Sequence, residues 1–322
     1  MRRGNAPLVA MLFVLALVAL LSGVASAQHP RSPYRIGVVN DARANHPAVD
    51  GLKAGLRKLG LEEGRDVVFD VVLTDGTSPG MRAAADALVK AGVDLIFTST
   101  EAATLAARAA TQTIPIVFTL VGDPVAVGLV DSLAHPGRNV TGVSSLTSQL
   151  VAKRLEALKA LSPGLRRVWI IGYGSDPVSP AAASVASRFG LEVVSRSVRT
   201  PDDLQRALGE VVPGDALMAP DLAALDISAV LLEASLSRRI PAVFSSEIWV
   251  NHGGLVSYGA DYRAQGAQAS RLVAKILRGA RPADLPVESA DPIVFAVNLK
   301  TAEALRLAVP RQILYRADVI RR

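Results

Sequence analysis

The sequence predicts an α/β protein made of two successive parallel-sheet units, each covered by helices on both faces. Three observations predict it. Short apolar runs alternate with longer segments whose apolar positions recur at helical spacing. The alternation restarts once, in the same order of elements and without an obvious repeat of the residues themselves. Between the two series, Gly137 to Ser145 is rich in Gly, Thr and Ser, which suits a crossing between lobes.

Tyr34 to Asn40 (YRIGVVN) reads as a buried strand. His46 to Leu59 follows as a helix, with Val49, Leu52, Leu56 and Leu59 on one face and Gly60 ending it. Asp66 to Val72 is β-branched and strand-like. Ser78 is the expected cap of a helix from Pro79 to Ala91. Val93 to Thr98 is a strand, Thr100 to Thr111 a helix capped by Ser99 or Thr100, and Ile114 to Phe118 a strand. The second series has helices at 148–161, 179–189, 202–212 and 227–238. Its strands fall at 167–171, 191–197, 216–219 and 242–245. The remainder offers a strand (Leu255 to Tyr258), a long helix (Asp261 to Leu277), a strand (Ile293 to Val297) and a terminal helix. Elements left over after two complete units imply that the chain returns to the first lobe and crosses again. The expected division is 1–27 as a leader, 33–142 plus about 258–292 as one lobe, and 143–257 plus about 293–322 as the other.

The leader is read from three parts. Arg2 and Arg3 precede an unbroken apolar run of 14 residues, Leu8 to Leu21, and Ala25-Ser26-Ala27 puts small residues where a signal peptidase reads them. The run is shorter than the roughly 20 residues that span a bilayer, so cleavage before Gln28, export and a freely diffusing periplasmic product are expected. The chain has 322 residues, half of them hydrophobic, which is enough for two cores. It contains no cysteine, which removes thiolate chemistry, Cys-ligated zinc and attachment of a lipid to a cysteine after the leader. The net charge is +6, with the basic residues dispersed and no aromatic interleaving, so no nucleic-acid partner is expected.

A catalytic constellation is not evident. His29, His46, His135 and His252 have neither metal-ligand spacing nor a carboxylate at a motif offset, and no cofactor or metal is expected. Gly142-Val143-Ser144-Ser145-Leu146 lacks the second glycine of a nucleophile elbow. Gly172-Tyr173-Gly174 meets Asp176-Pro177 where a third dinucleotide glycine belongs. What remains are polar tips at the carboxyl ends of strands, where open parallel sheets bind ligands. The candidate ligand contacts are Asn40, Asp41, Ser99, Thr100 and Asp123 in the first unit, and Tyr173, Asp176, Asp221 and Glu247 in the second. Ser99-Thr100 starts a helix, whose open N–H groups favour a carboxylate. Asp176, Asp221 and Glu247 would hold a cation, and Tyr173 would stack on an apolar body. The set suits a zwitterion. Each Asp or Ser alone is also an ordinary cap or turn former. Trp169, on a strand, reads as core, whereas Trp249 and Tyr258 fall near the expected cleft.

Several segments carry a family resemblance. FTLVGDPVAVGLVDSLAHPGRNVTGV (Phe118 to Val143) resembles the signature of ABC-transporter substrate-binding proteins related to the tryptophan/tyrosine uptake group. GLRKLGLEEGRDVVFD, ARAATQTIPIVF, GGLVSYGADY, KILRGARPADLPVE and AVNLKTAEALRLAVPRQILYRAD match in the same order, and His46-Pro47-Ala48-Val49-Asp50 resembles the HPALD turn of the aromatic amino-acid binders. The resemblance implies the type I periplasmic-binding-protein fold: two doubly wound lobes joined by a multi-strand hinge. It also implies a small ligand held between closing lobes, no catalysis, a monomer, and an ABC permease as partner. Many relatives are lipoproteins; this chain lacks the cysteine that tethers them. Two other roles fit the same residues: a two-lobed sensor that signals to a membrane receptor, and an exported enzyme using cleft carboxylates.

Overall fold

Residues 33–40, 46–74, 76–173, 180–219 and 227–322 are described by a computed structural model. The expected leader lies outside them. Six strands form an all-parallel first sheet: β1 (Tyr34–Asn40), β2 (Val67–Leu73), β3 (Leu95–Thr98), β4 (Ile116–Val121), β5 (Val140–Ser144) and the short β11 (Glu288–Ser289), in the order β11-β5-β4-β3-β1-β2. A seven-stranded second sheet holds β6 (Arg167–Tyr173), β7 (Glu192–Val198), β8 (Ala216–Met218), β9 (Ala242–Phe244), β10 (Val256–Ala260), β12 (Ile293–Asn298) and β13 (Val319–Arg321), in the order β13-β12-β10-β9-β8-β6-β7. It is parallel except where β10 meets β12. The first five strands of each sheet share one doubly wound order, 2-1-3-4-5.

Burial follows from the residues. Every residue of β4 (IVFTLV) is buried, as a strand covered on both faces requires, while β2 at the edge is half-exposed. Neighbours along a strand feed opposite cores. Val38, Phe97 and Val117 join Leu52, Leu56 and Leu272 on one face, whereas Val39, Ile96 and Phe118 join Met81 and Leu88 on the other. The second sheet divides likewise, Ile170 and Met218 on one side, Ile171 and Leu217 on the other.

Helices α1 (His46–Lys58), α2 (Ser78–Lys90) and α3 (Glu101–Ala110) follow strands of the first sheet; α4 (Thr147–Leu161), α5 (Pro180–Arg188), α6 (Pro201–Glu210), α7 (Ile227–Arg238) and α8 (Glu247–Asn251) belong to the second series. Among the described residues the chain changes sheet three times. After β5 it enters α4, which packs on β9 and β10; after β10 it enters α9 (Tyr262–Leu277), which packs on α1, β4 and β5; after β11 it runs into β12. Glycine fixes the second return. A Cβ on Gly266 would lie 1.8 Å from the Ala48 carbonyl oxygen, and one on Gly51 would lie 1.9 Å from that of Arg263, so α1 and α9 meet backbone to backbone.

Four local expectations change. The cap of α2 is Thr77, whose side chain accepts from Gly80 N–H, because its backbone is extended where Ser78 is already helical. The Gly/Thr/Ser-rich stretch before Ser145 contains a strand, β5, completely buried between β4 and β11. Gly142 packs there against Phe118, where a Cβ would come within 2.3 Å of the Phe118 carbonyl oxygen. The expected terminal helix is two short ones, α10 (Leu299–Ala304) and α11 (Arg311–Arg316), broken before Pro310 and followed by β13. Trp249 is core: it is 6 % exposed and stacks on Phe244 at 6.0 Å.

Candidate functional site

In the 2-1-3-4-5 order the connections diverge between the first and third strands, which opens a crevice at their carboxyl ends. In the first sheet those strands are β1 and β3. β1 ends at Asn40, β3 runs into Ser99, and both residues are fully buried. Ser99 Oγ donates to Asn40 Oδ1 at 2.9 Å. Asn40 Nδ2 is buried with no hydrogen-bond partner among the described residues. A buried amide donor left open is costly unless something else fills it.

Thr100 caps α3 by accepting from Ala103 N–H at 3.2 Å, and its carbonyl accepts from Thr104 Oγ1 at 2.5 Å. Glu101, the first residue of α3, has its carboxyl pushed up from the usual range by burial and by the nearby charge of Asp123. Asp123, just past β4, is exposed; its Oδ1 accepts from Ala126 N–H at 3.0 Å. The carboxyl ends of β1, β3 and β4 are adjacent, so one strip carries a buried amide, a helix start and two carboxylates.

The corresponding crevice of the second sheet lies between β6 and β8. Tyr173 ends β6, but its side chain, Asp176 and Asp221 all lie outside the described residues, as does Asp41. Glu247 opens α8 behind its cap Ser246 and is half-buried. Tyr258 is half-buried and tilts onto Phe295 at 5.5 Å. Trp169 is core on β6, its Nε1 donating to Asp215 Oδ2 at 2.7 Å. Of the nine sequence candidates the first sheet brings Asn40, Ser99, Thr100 and Asp123 together, and Glu247 sits at the carboxyl end of β9 in the second.

The sequence did not point to the residues that tie the sheets beside these tips. α9 starts where the chain leaves β10, and its first turn reaches both sides. Tyr262 Oη lies 3.2 Å from Ser245 Oγ at the end of β9. One turn on, Gln265 Oε1 accepts from Leu120 N–H at 3.1 Å, and its Nε2 donates to Ser145 Oγ at 3.3 Å. Leu120 sits in an irregularity of β4 with φ +59°, a left-handed backbone that a leucine adopts only when its surroundings impose it. Arg154, buried on α4, donates from Nε to the Tyr258 carbonyl at 2.8 Å. α4 itself begins after Leu146 at φ +58° with no side-chain cap. Glu101 adjoins the Ser99-Thr100 tip; the other contacts have no local signature, because their partners lie 17 to 145 positions away in sequence.

Among the described residues no group of His, Asp and Glu could hold a metal ion. His135 and His252 are exposed, and His252 Nδ1 lies 2.7 Å from the Ile248 carbonyl. No helix among the described residues is long and apolar enough to cross a membrane.

Residues 36–320 match the model of a family described as ABC transporter substrate binding protein. A tyrosine-binding protein of Clostridioides difficile (strain R20291) is 30% identical over 271 residues, covering 81% of this chain and 78% of the relative. Among solved structures, a Streptococcus pneumonia ABC domain in complex with L-Trp superposes with a TM-score of 0.79 at 24% identity, covering 90% of this chain and all of that one. A ligand-free, open substrate-binding protein with adhesive properties from Clostridium difficile superposes with a TM-score of 0.65 at 27% identity, covering 89% and 99%.

Proposed function

This chain belongs to the ABC transporter substrate-binding protein family, and from that premise we propose that it captures a zwitterionic solute, an amino acid or close derivative, between its lobes. Members of the family bind small ligands outside the cytoplasm and deliver them to ABC permeases. The protein works as a monomer in the periplasm, released by signal cleavage and untethered for want of a cysteine after the leader. It needs no catalyst. Ligand shifts the lobes toward closure only by binding the closed arrangement better, through contacts from both sides.

One observation carries the zwitterion reading. The buried, unpartnered Asn40 amide and the start of α3 stand beside Glu101 and Asp123 on neighbouring strand ends. The first pair suits a carboxylate, the second an ammonium, and an α-amino acid presents both on one carbon. An ammonium beside Glu101 would also favour its ionised form against the burial, and second the Asp123 charge, that raise its pKa. Tyr173, Asp176, Asp221 and Glu247 of the second lobe close over the rest of the ligand. The names of the relatives, one tyrosine-binding and one solved with L-Trp, support an amino acid as the class.

A thermal-shift screen of amino acids, organic acids and neutral sugars tests the reading. A ligand that binds only the folded state raises its melting temperature by mass action. Amino acids are expected to raise it and sugars are not; a shift with sugars alone would contradict the proposal.

A further inference from the structure

A cavity lies at the end of the second sheet opposite its ligand tips. It has a volume of about 660 Å³ and is lined by the turns that precede β6, β8 and β9 and by the segment after α10. That is the amino-terminal edge of the parallel strands, whereas the ligand tips are at the carboxyl edge. Leu161, Leu165, Pro241 and Leu307 give it an apolar floor. Arg239 and Arg306 line it too, and both are exposed.

These two arginines stand in an unusual place. Both have a left-handed backbone at a helix end: Arg239 at φ +56° directly after α7, Arg306 at φ +57° after α10 and its cap Leu305. Each is followed by the same reverse bond, Ile240 N–H to the Ser235 carbonyl at 3.0 Å and Leu307 N–H to the Ala302 carbonyl at 2.8 Å. This helix stop favours glycine, because a Cβ crowds the left-handed backbone. The chain obeys the rule elsewhere: Gly60, Gly92, Gly190, Gly253 and Gly279 occupy the equivalent position with positive φ and the same bond. Among the described residues, the two arginine exceptions at such stops line one cavity, and neither guanidinium has an ion-pair or hydrogen-bond partner. The acid that lines the cavity, Asp215, is already held by Arg167 at 2.9 and 3.0 Å, by Trp169 Nε1 and by Val212 N–H. A helix C-terminus favours a cation, which accounts for each arginine singly; that both also line one cavity with an apolar floor suits an anion there.

We propose that this cavity binds a small amphipathic organic anion, a carboxylate or sulfonate on an apolar body, with Arg239 and Arg306 holding the charged end. The volume lies in the range of small-molecule sites. The site is separate from the interlobe cleft and does not depend on what the cleft carries.

The probe is 8-anilinonaphthalene-1-sulfonate, titrated by fluorescence into the full chain, with neutral N-phenyl-1-naphthylamine as the control. Wild type is expected to bind the sulfonate at one saturable site and the neutral probe at least about tenfold more weakly. The double variant Arg239→Gly with Arg306→Gly is expected to lose the sulfonate by about tenfold or more, because two charge-assisted contacts go. Its melting temperature should stay level or rise, since glycine suits the left-handed backbone. Arg239→Lys with Arg306→Lys should restore part of the binding by restoring charge. Equal affinity of wild type and the glycine variant, or of the two probes, would overturn the proposal.

Discussion

Gln265 Oε1 accepts the backbone N–H of Leu120 at 3.1 Å, joining residues 145 positions apart in sequence. The bond holds a left-handed leucine in β4 just before Gly122 and Asp123, and the same side chain reaches Ser145 where the chain leaves the first sheet. A neutral amide suits this task because it accepts on one side and donates on the other. Gln265→Leu leaves the buried Leu120 N–H unpaired and is expected to cost about 1–3 kcal/mol in denaturant unfolding. Gln265→Glu keeps an acceptor for Leu120 but buries a carboxyl, so it should cost less than Gln265→Leu at about pH 4, where that carboxyl is protonated. Equal loss in both variants would show that the leucine bond is not the one that matters.

Tyr262→Phe removes the hydroxyl that meets Ser245 and keeps the buried ring. The neutral hydrogen bond between the end of β9 and the start of α9 is lost, worth about 0.5–1.5 kcal/mol. Because the bond spans a crossing between sheets, small-angle scattering should show a more open ligand-free protein, with ligand restoring the wild-type radius of gyration. An unchanged radius without ligand would contradict a role in setting the lobe angle.

Glu101 gives a pH test with a definite sign. Burial first, and Asp123 second, raise its folded pKa above the unfolded value of about 4.3. The folded state therefore binds the proton more tightly than the unfolded chain, and ionised Glu101 destabilises the protein at neutral pH. The deficit shrinks as pH falls through the raised pKa. Glu101→Gln should melt at a higher temperature than wild type at pH 7, and the gain should vanish by about pH 4. A lower melting temperature for the variant at pH 7 would contradict the assignment.

Gly266→Val tests the contact that seats α9. Its side chain would drive into the Ala48 carbonyl, and backbone cannot yield as a flexible side chain does. A loss of about 3 kcal/mol or more, or failure to accumulate folded protein, is expected. Gly164→Val, where a Cβ meets nothing within 4 Å, should be tolerated by comparison.

Most of the fold was legible because burial on both faces of a parallel strand leaves a short apolar run, and helices between such runs keep their period. β5 was missed because Gly142 and Ser144 interrupt the branched Val140, Thr141 and Val143 in a Gly-, Thr- and Ser-rich stretch; Gly142 is there to clear Phe118. The α8 turn was missed because five residues hold little more than one helical period. At the site, Asn40, Ser99 and Thr100 were legible as polar residues following apolar strands. Gln265 and Tyr262 were not, since a glutamine or tyrosine on a helix gives no sign of a partner 145 or 17 positions away.

The central claim is that the first lobe's strand ends hold both charges of an amino acid. Isothermal titration calorimetry, using the amino acid that most raises the melting temperature, tests it on wild type, Asn40→Asp and Glu101→Gln. Asn40→Asp keeps the shape and replaces the open amide donor with an acceptor that repels a carboxylate. The account predicts one ligand per chain for wild type and at least about tenfold weaker binding for each variant. Unchanged affinity in both variants, with the fold intact, would contradict it.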